Sequence, residues 1–95
     1  MPTATEIRDR IVAQYAGELA RRGMVASEVP ADFDLLTEGL VDSLGVLELV
    51  GVLEEAFQLE VDLADLDAEQ LTVVGPLSEY VAARGVSRSS AARPD

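Results

Sequence analysis

A small all-α domain is what this sequence predicts: a four-helix bundle of three longer helices and one short helix, with a long loop between helices one and two. Three observations carry that expectation. Apolar residues recur every three or four positions in three separate stretches, residues that favour helix starts stand ahead of them, and no stretch shows the alternation of a half-buried strand. Ninety-five residues, 48% of them apolar, suit one such domain.

Helix one is expected from Thr5 to Arg22. Thr3 and Glu6 have capping-box spacing, with Thr5 as an alternative cap. Ile7, Ile11, Tyr15 and Leu19 form one stripe that Val12 and Ala16 broaden. Gly23 is the stop, and Arg21 and Arg22 put the favourable charge at the C-terminal turn. Residues 24–41 have no sustained period and contain Pro30 and Gly39, so they read as a connection pinned by Phe33, Leu35, Leu36 and Leu40. A loop this long in a compact domain calls for a functional reason.

Helix two is expected from Ser43 to Leu59. At 100° per residue, Val46, Leu49, Val50, Leu53, Ala56 and Phe57 share the buried arc, while Leu44, Leu47, Glu48, Gly51 and Glu55 fall on the other side. That second face mixes apolar and acidic groups and begins beside Ser43, which is the composition of a docking surface. Residues 61–66 allow a helical turn or two with Asp62 as cap, and Thr72 is the expected cap of the last helix. Val74, Leu77, Tyr80 and Val81 give that helix its stripe and Gly85 ends it. The domain is therefore drawn as residues 1–85, and residues 86–95, rich in serine and arginine, as a disordered tail.

Composition removes whole classes of chemistry. The chain has no histidine, cysteine, lysine or tryptophan, so the usual general bases, metal clusters and imine-forming amines are missing. The formal charge is −11, and between Gly23 and Ala83 every charged side chain is acidic. Such a field repels nucleic acid and anionic membranes and steers toward basic partner surfaces. The acidic run Asp62, Asp65, Asp67 and Glu69 lacks the central glycine and the spacing of a calcium loop. No segment has membrane-spanning length and the start lacks the pattern of a signal peptide, so a soluble cytoplasmic protein is expected.

The informative junction is Asp42-Ser43-Leu44-Gly45, where the loop becomes helix two. Asp42 can cap the first-turn amides. Ser43 stands at an electropositive, amide-rich helix end suited to hold a phosphoryl group, but nothing nearby can activate its hydroxyl. It has neither a histidine base nor a Gly-x-Ser-x-Gly elbow. Ser43 is thus a poor nucleophile for an enzyme of its own and a good attachment point for another enzyme to modify.

With these residues in place the chain resembles the acyl carrier and peptidyl carrier protein family over residues 5–84. The likeness runs through Phe33 and Leu35, then Gly39-Leu40-Val41-Asp42-Ser43-Leu44-Gly45, Glu48-Leu49-Val50, Leu53-Glu54-Glu55, Phe57, Val61 and Leu71-Thr72-Val73. The resemblance implies that Ser43 receives 4′-phosphopantetheine from coenzyme A through a separate phosphopantetheinyl transferase, with Asp42 beside it. It implies a non-catalytic carrier whose acyl or aminoacyl cargo rides as a thioester on the arm and is delivered to partner enzymes of a biosynthetic pathway. Asp42, Leu44, Leu47, Glu48, Gly51, Glu54 and Glu55 inherit recognition of basic docking surfaces on the transferase, a loading ligase or transferase and a downstream synthase. Gly45 departs from the Asp-Ser-Leu-Asp common in fatty acid synthesis and is more like discrete carriers of amino acids or specialised acyl groups. The alternatives are an unmodified helical adaptor of the same fold and, remotely, a small hydrolase using Ser43.

Overall fold

The computed structural model describes residues 2–87. Its helices are α1 (Ala4–Gln14), α2 (Ala16–Arg21), α3 (Ser43–Phe57), α4 (Ala68–Thr72) and α5 (Val74–Arg84). Single 3-10 turns occupy Ala26–Glu28 and Leu63–Asp65. The expected all-α bundle with three longer helices is present.

The capping box at Thr3 opens α1: the Thr3 hydroxyl accepts from the Glu6 N–H and the Glu6 carboxylate accepts from the Thr3 N–H. Helix one is not continuous, however. It breaks at Tyr15, whose N–H turns to the Val12 and Ala13 carbonyls instead of one four residues back, and restarts as α2 just ahead of Gly17, a weak helix former. Ile7, Ile11, Val12 and Leu19 are buried as the stripe predicts, but Ala16 is exposed because the break turns it outward. Gly23 takes a left-handed φ of 77° and closes α2.

The bundle core joins Ile7, Ile11, Leu35, Leu49, Leu53 and Leu77, each no more than 2% exposed. Burying such a side chain contributes about 1.5–3 kcal/mol. The most extensive helix pairing is α1 with α5. α3 runs antiparallel to α1: Gln14 and Tyr15 at the end of α1 meet Asp42 and Gly45, while Arg10, a turn earlier, meets Gly51 and Glu55.

Loop 24–41 is tied down by backbone as much as by side chains. The Leu35 N–H donates to the Thr72 carbonyl, and Phe33 and Ala31 carbonyls accept from the Val74 and Gly75 N–H groups at 3.0 and 2.7 Å. Phe33 and Leu35 are buried and Leu40 is half-buried, but Leu36 is 41% exposed. It rides on the outside of the turn that Asp34 organises by accepting from the Leu36 and Thr37 N–H groups. Arg8 holds the loop from α1 through the Ala26 and Val29 carbonyls, and Arg22 through that of Glu38.

Three local expectations change, at Thr72, at the end of helix two and at residues 86–87, while the turn capped by Asp62 is present as expected. Thr72 does not cap the last helix: it ends α4, buried, and Val73 takes the cap position without a side-chain bond because the loop carbonyls already serve those amides. Pro76 consequently falls third in α5, where no interior hydrogen bond is lost. The acidic segment forms a 3-10 turn capped by Asp62, while a separate α4 opens where Asp67 and Gln70 cap each other reciprocally. Helix two ends at Phe57, since Gln58 turns left-handed and frees Leu59 and Glu60 to pair antiparallel with Val86 and Ser87. Those last two residues, drawn in the tail by sequence, thus join the domain; the rest of that tail lies outside the described residues. Among the described residues no helix is long and apolar enough to cross a membrane.

Candidate functional site

Asp42 adopts extended backbone ahead of α3 and its carboxylate accepts from the Gly45 N–H at 2.7 Å. This cap satisfies one first-turn donor. The N–H groups of Ser43 and Leu44, also in the first turn, have no intrahelical acceptor available to them. Ser43 is the first residue of α3 and is exposed, and among the described residues no hydrogen bond holds its hydroxyl. A hydroxyl left free at an open helix N-terminus is sterically and electrostatically ready to bear a phosphodiester. The neighbouring carboxylate, that of Asp42, is engaged by the Gly45 N–H, so the site presents a group and does not activate one.

Gly45 has a packing reason. A Cβ there would lie 3.0 Å from the Val41 Cβ and 3.3 Å from the capping Asp42 oxygen. The glycine lets the loop cross close over the helix and keeps the cap short.

Down α3, Val46, Leu49, Val50 and Leu53 are buried as expected. Phe57 is only half-buried and Ala56 is exposed, because the core narrows toward the helix end. On the outer face Leu44 is 64% and Leu47 48% exposed, with Glu48 and Glu55 beside them and Gly51 between. Leu47 lies one turn below Ser43 on the same flank. Glu54, grouped with the docking residues in the sequence reading, is instead half-buried and accepts from the Val61 N–H at 3.0 Å, fastening the chain that leaves α3.

A crevice of about 310 Å³ separates α3 from the end of α1, lined by Tyr15, Val41, Gly45, Glu48 and Val52 among others. Burial, and then the Glu48 charge, push the Tyr15 hydroxyl above its ordinary value. Gly45 and Val52 lie on the flank of α3 turned away from Ser43, and Glu48 stands between that flank and the exposed face of Leu44 and Leu47. Within the apolar core, bounded by Ile11, Leu19, Phe33 and Val74, the enclosed space is only about 10 Å³. That is scarcely one water, so an acyl chain would have to part the helices to enter.

The acidic run has structural work. Asp62 caps the Ala64 N–H, Asp67 caps that of Gln70, and Asp65 accepts from the Tyr80 hydroxyl at 2.8 Å and from Arg84 at 3.0 Å. Sequence reasoning missed the residues that hold the site's loop: Arg8, Arg22, and the Ala31 and Phe33 carbonyls. The confinement of arginine to the chain's two ends was the available signal for the first two.

An acidic helical bundle that offers an unactivated hydroxyl at an open helix start is a protein that presents chemistry to others. The chain matches the phosphopantetheine attachment site family over residues 9–81, and it belongs to that family. Among curated proteins it is 39% identical over 62 residues to an acyl carrier protein of Chlamydia caviae, covering 65% of this chain and 78% of the relative. It is 32% identical over 80 residues to an acyl carrier protein of Bdellovibrio bacteriovorus, covering 84% and 91%. No solved structure matches at the stringency that finds these relatives. The protein is a non-catalytic carrier with 4′-phosphopantetheine as its prosthetic group, holding biosynthetic intermediates as thioesters. The arm supplies the reactive sulfur that a chain without cysteine lacks.

Proposed function

We propose that Ser43 is the residue that bears the arm. The observation that carries this reading is its exposed, unbonded hydroxyl at the first turn of α3, where Asp42 occupies only the Gly45 amide. A phosphopantetheinyl transferase supplies what the site lacks, a base for the hydroxyl proton. The serine oxygen then bonds to the phosphorus of coenzyme A as the nucleoside bisphosphate leaves. The Ser43 and Leu44 amides favour the negative charge that remains.

The docking address is the exposed face of α3: Asp42, Leu44, Leu47, Glu48, Gly51 and Glu55. Leucines provide apolar contact and the carboxylates meet arginine or lysine on the transferase, a loading enzyme and a downstream synthase. The cargo is acyl, the class in the relatives' names. Gly45 answers to Val41 and Asp42 and so does not argue for an aminoacyl cargo.

Intact mass after incubation with coenzyme A and a broad-specificity transferase tests the assignment. A gain of one phosphopantetheinyl group that vanishes in Ser43→Ala supports it. Retention of the gain in that variant would move the arm to another residue.

A further inference from the structure

The two tyrosines of this chain are placed differently. Tyr80 is buried and its hydroxyl donates to the Asp65 carboxylate at 2.8 Å. Tyr15 is half-buried, and among the described residues no hydrogen bond holds its hydroxyl. A tyrosine taken out of water normally finds a partner for that group. Among the described residues no fully buried side-chain polar atom lacks a partner, so the Tyr15 hydroxyl is reachable from the crevice between α3 and the end of α1, which Glu48 also lines. Two more groups stand there with bonding capacity unused. Gln14 gives its side-chain oxygen to Arg10 and keeps its N–H donors, and the Glu48 carboxylate accepts no hydrogen bond among the described residues. Leu40, Val41 and Val52 supply apolar walls. Donors, an acceptor and apolar walls in one crevice complement a neutral chain in which amides alternate with hydrocarbon. The carboxylates of Asp42 and Glu48 disfavour an anion in the same place.

We infer that the crevice between α1 and α3 is the resting place of the arm, where Tyr15, Gln14 and Glu48 bond the pantetheine amides on the flank of α3 away from Leu44 and Leu47. This inference rests on Ser43 being the attachment site. Beyond its phosphate the arm is a neutral chain with two amides, a hydroxyl and a dimethyl-substituted carbon, which are the groups this lining complements. Its backbone is about as long as four extended residues, ~14 Å, enough to pass Asp42 from Ser43 and arrive at Tyr15. Attachment also commits the crevice to this occupant, because a chain tethered nearby reaches an effective concentration on the order of millimolar. Storage and delivery then use different sides of α3: the exposed face stays open to a partner while the arm lies on the other flank.

The experiment uses the full chain with the arm installed, after intact mass has been read for wild type and Ser43→Ala. Backbone amide NMR spectra of the wild type are compared with and without the arm. Shifts are expected at Gln14 and Tyr15, on a different helix from the attachment point, as well as around Ser43. The second readout is the rate at which iodoacetamide alkylates the thiol of the arm. Tyr15→Phe is expected to raise that rate about threefold to tenfold, the worth of one hydrogen bond. Tyr80→Phe, which loses a bond outside the crevice, is expected to leave it unchanged. Shifts confined to residues 41–47 or falling instead on the Leu63–Asp65 turn would overturn the inference, as would a rate unchanged in Tyr15→Phe or raised equally in Tyr80→Phe. A wild type that gains no arm, or a gain that survives in Ser43→Ala, would strike the attachment assignment on which this one stands.

Discussion

Two helices of this bundle begin in opposite ways. At α5 the first amides are taken by backbone carbonyls from a distant loop, Val74 by Phe33 and Gly75 by Ala31, and the cap residue Val73 contributes no side chain. At α3 the cap is local, a single Asp42 carboxylate on Gly45, and the remaining amides face solvent beside a free serine hydroxyl. The first start is closed because it is part of the core: Val73 and Val74 are buried and the loop is laid directly over them. The second is open because no described backbone carbonyl is laid against the Ser43 and Leu44 amides. The same orphan donors that the fold must satisfy in one place are available for function in the other.

The contrast is broken most completely by Ser43→Ala, which should abolish transfer from coenzyme A while moving stability by less than about 0.5 kcal/mol, as expected for an exposed substitution. Mass spectrometry and thermal melting measure the two effects. The mirror result belongs to α5. Gly75→Ala forces a Cβ to within 2.8 Å of the Ala31 oxygen and should cost about 1–3 kcal/mol, as overpacked sites do. At about 4–8 °C per kcal/mol for a domain of this size the drop in melting temperature is easily read. The folded variant should still accept the arm at the wild-type rate.

Asp42→Ala tests the open start at intermediate size. Losing the cap should cost about 1 kcal/mol, within the usual 0.5–2, and slow modification because the first turn frays at the serine. Asp42→Asn, which can still accept from the Gly45 N–H, should recover most of the stability. A urea midpoint for each variant decides it.

The smallest effect concerns the loop that closes α5. The Thr37 N–H foremost, with Leu36 and the Thr72 side chain also bonded to it, holds the Asp34 carboxyl below the usual carboxylate range. A depressed folded value stabilises the native state above the ordinary pKa of about 3.9 and is lost as pH falls through that lower value. The difference in urea midpoint between wild type and Asp34→Ala should therefore shrink when measured well below pH 4 rather than at pH 7. A difference independent of pH would show that the carboxylate charge plays no part in holding the loop.

Several elements were legible because their causes lie within three or four residues. Thr3 and Glu6 announce their own capping box, Asp62 its turn, and the Val46–Leu53 stripe its buried face. The candidate site was legible for the same reason: Asp42, Ser43 and Gly45 are neighbours in the chain and on one helix turn. Ala16, Leu36, Glu54 and Thr72 were misplaced because their settings depend on groups far along the chain or on a break in the helix. Glu54, for example, is chemically identical to Glu55; only the return of Val61 to its side gives it a bond.

By itself, then, the sequence determined an all-α carrier-like domain, an acidic exposed face on α3 and a serine with no means of activating itself. Periodicity, capping and composition are local quantities that survive without coordinates. Tertiary structure alone decided that loop 24–41 seals α5, that Val86 and Ser87 join Leu59 and Glu60, and that α3 begins open. Those outcomes turn on backbone N–H and carbonyl groups that every residue carries alike, so no side-chain pattern marks which of them will meet.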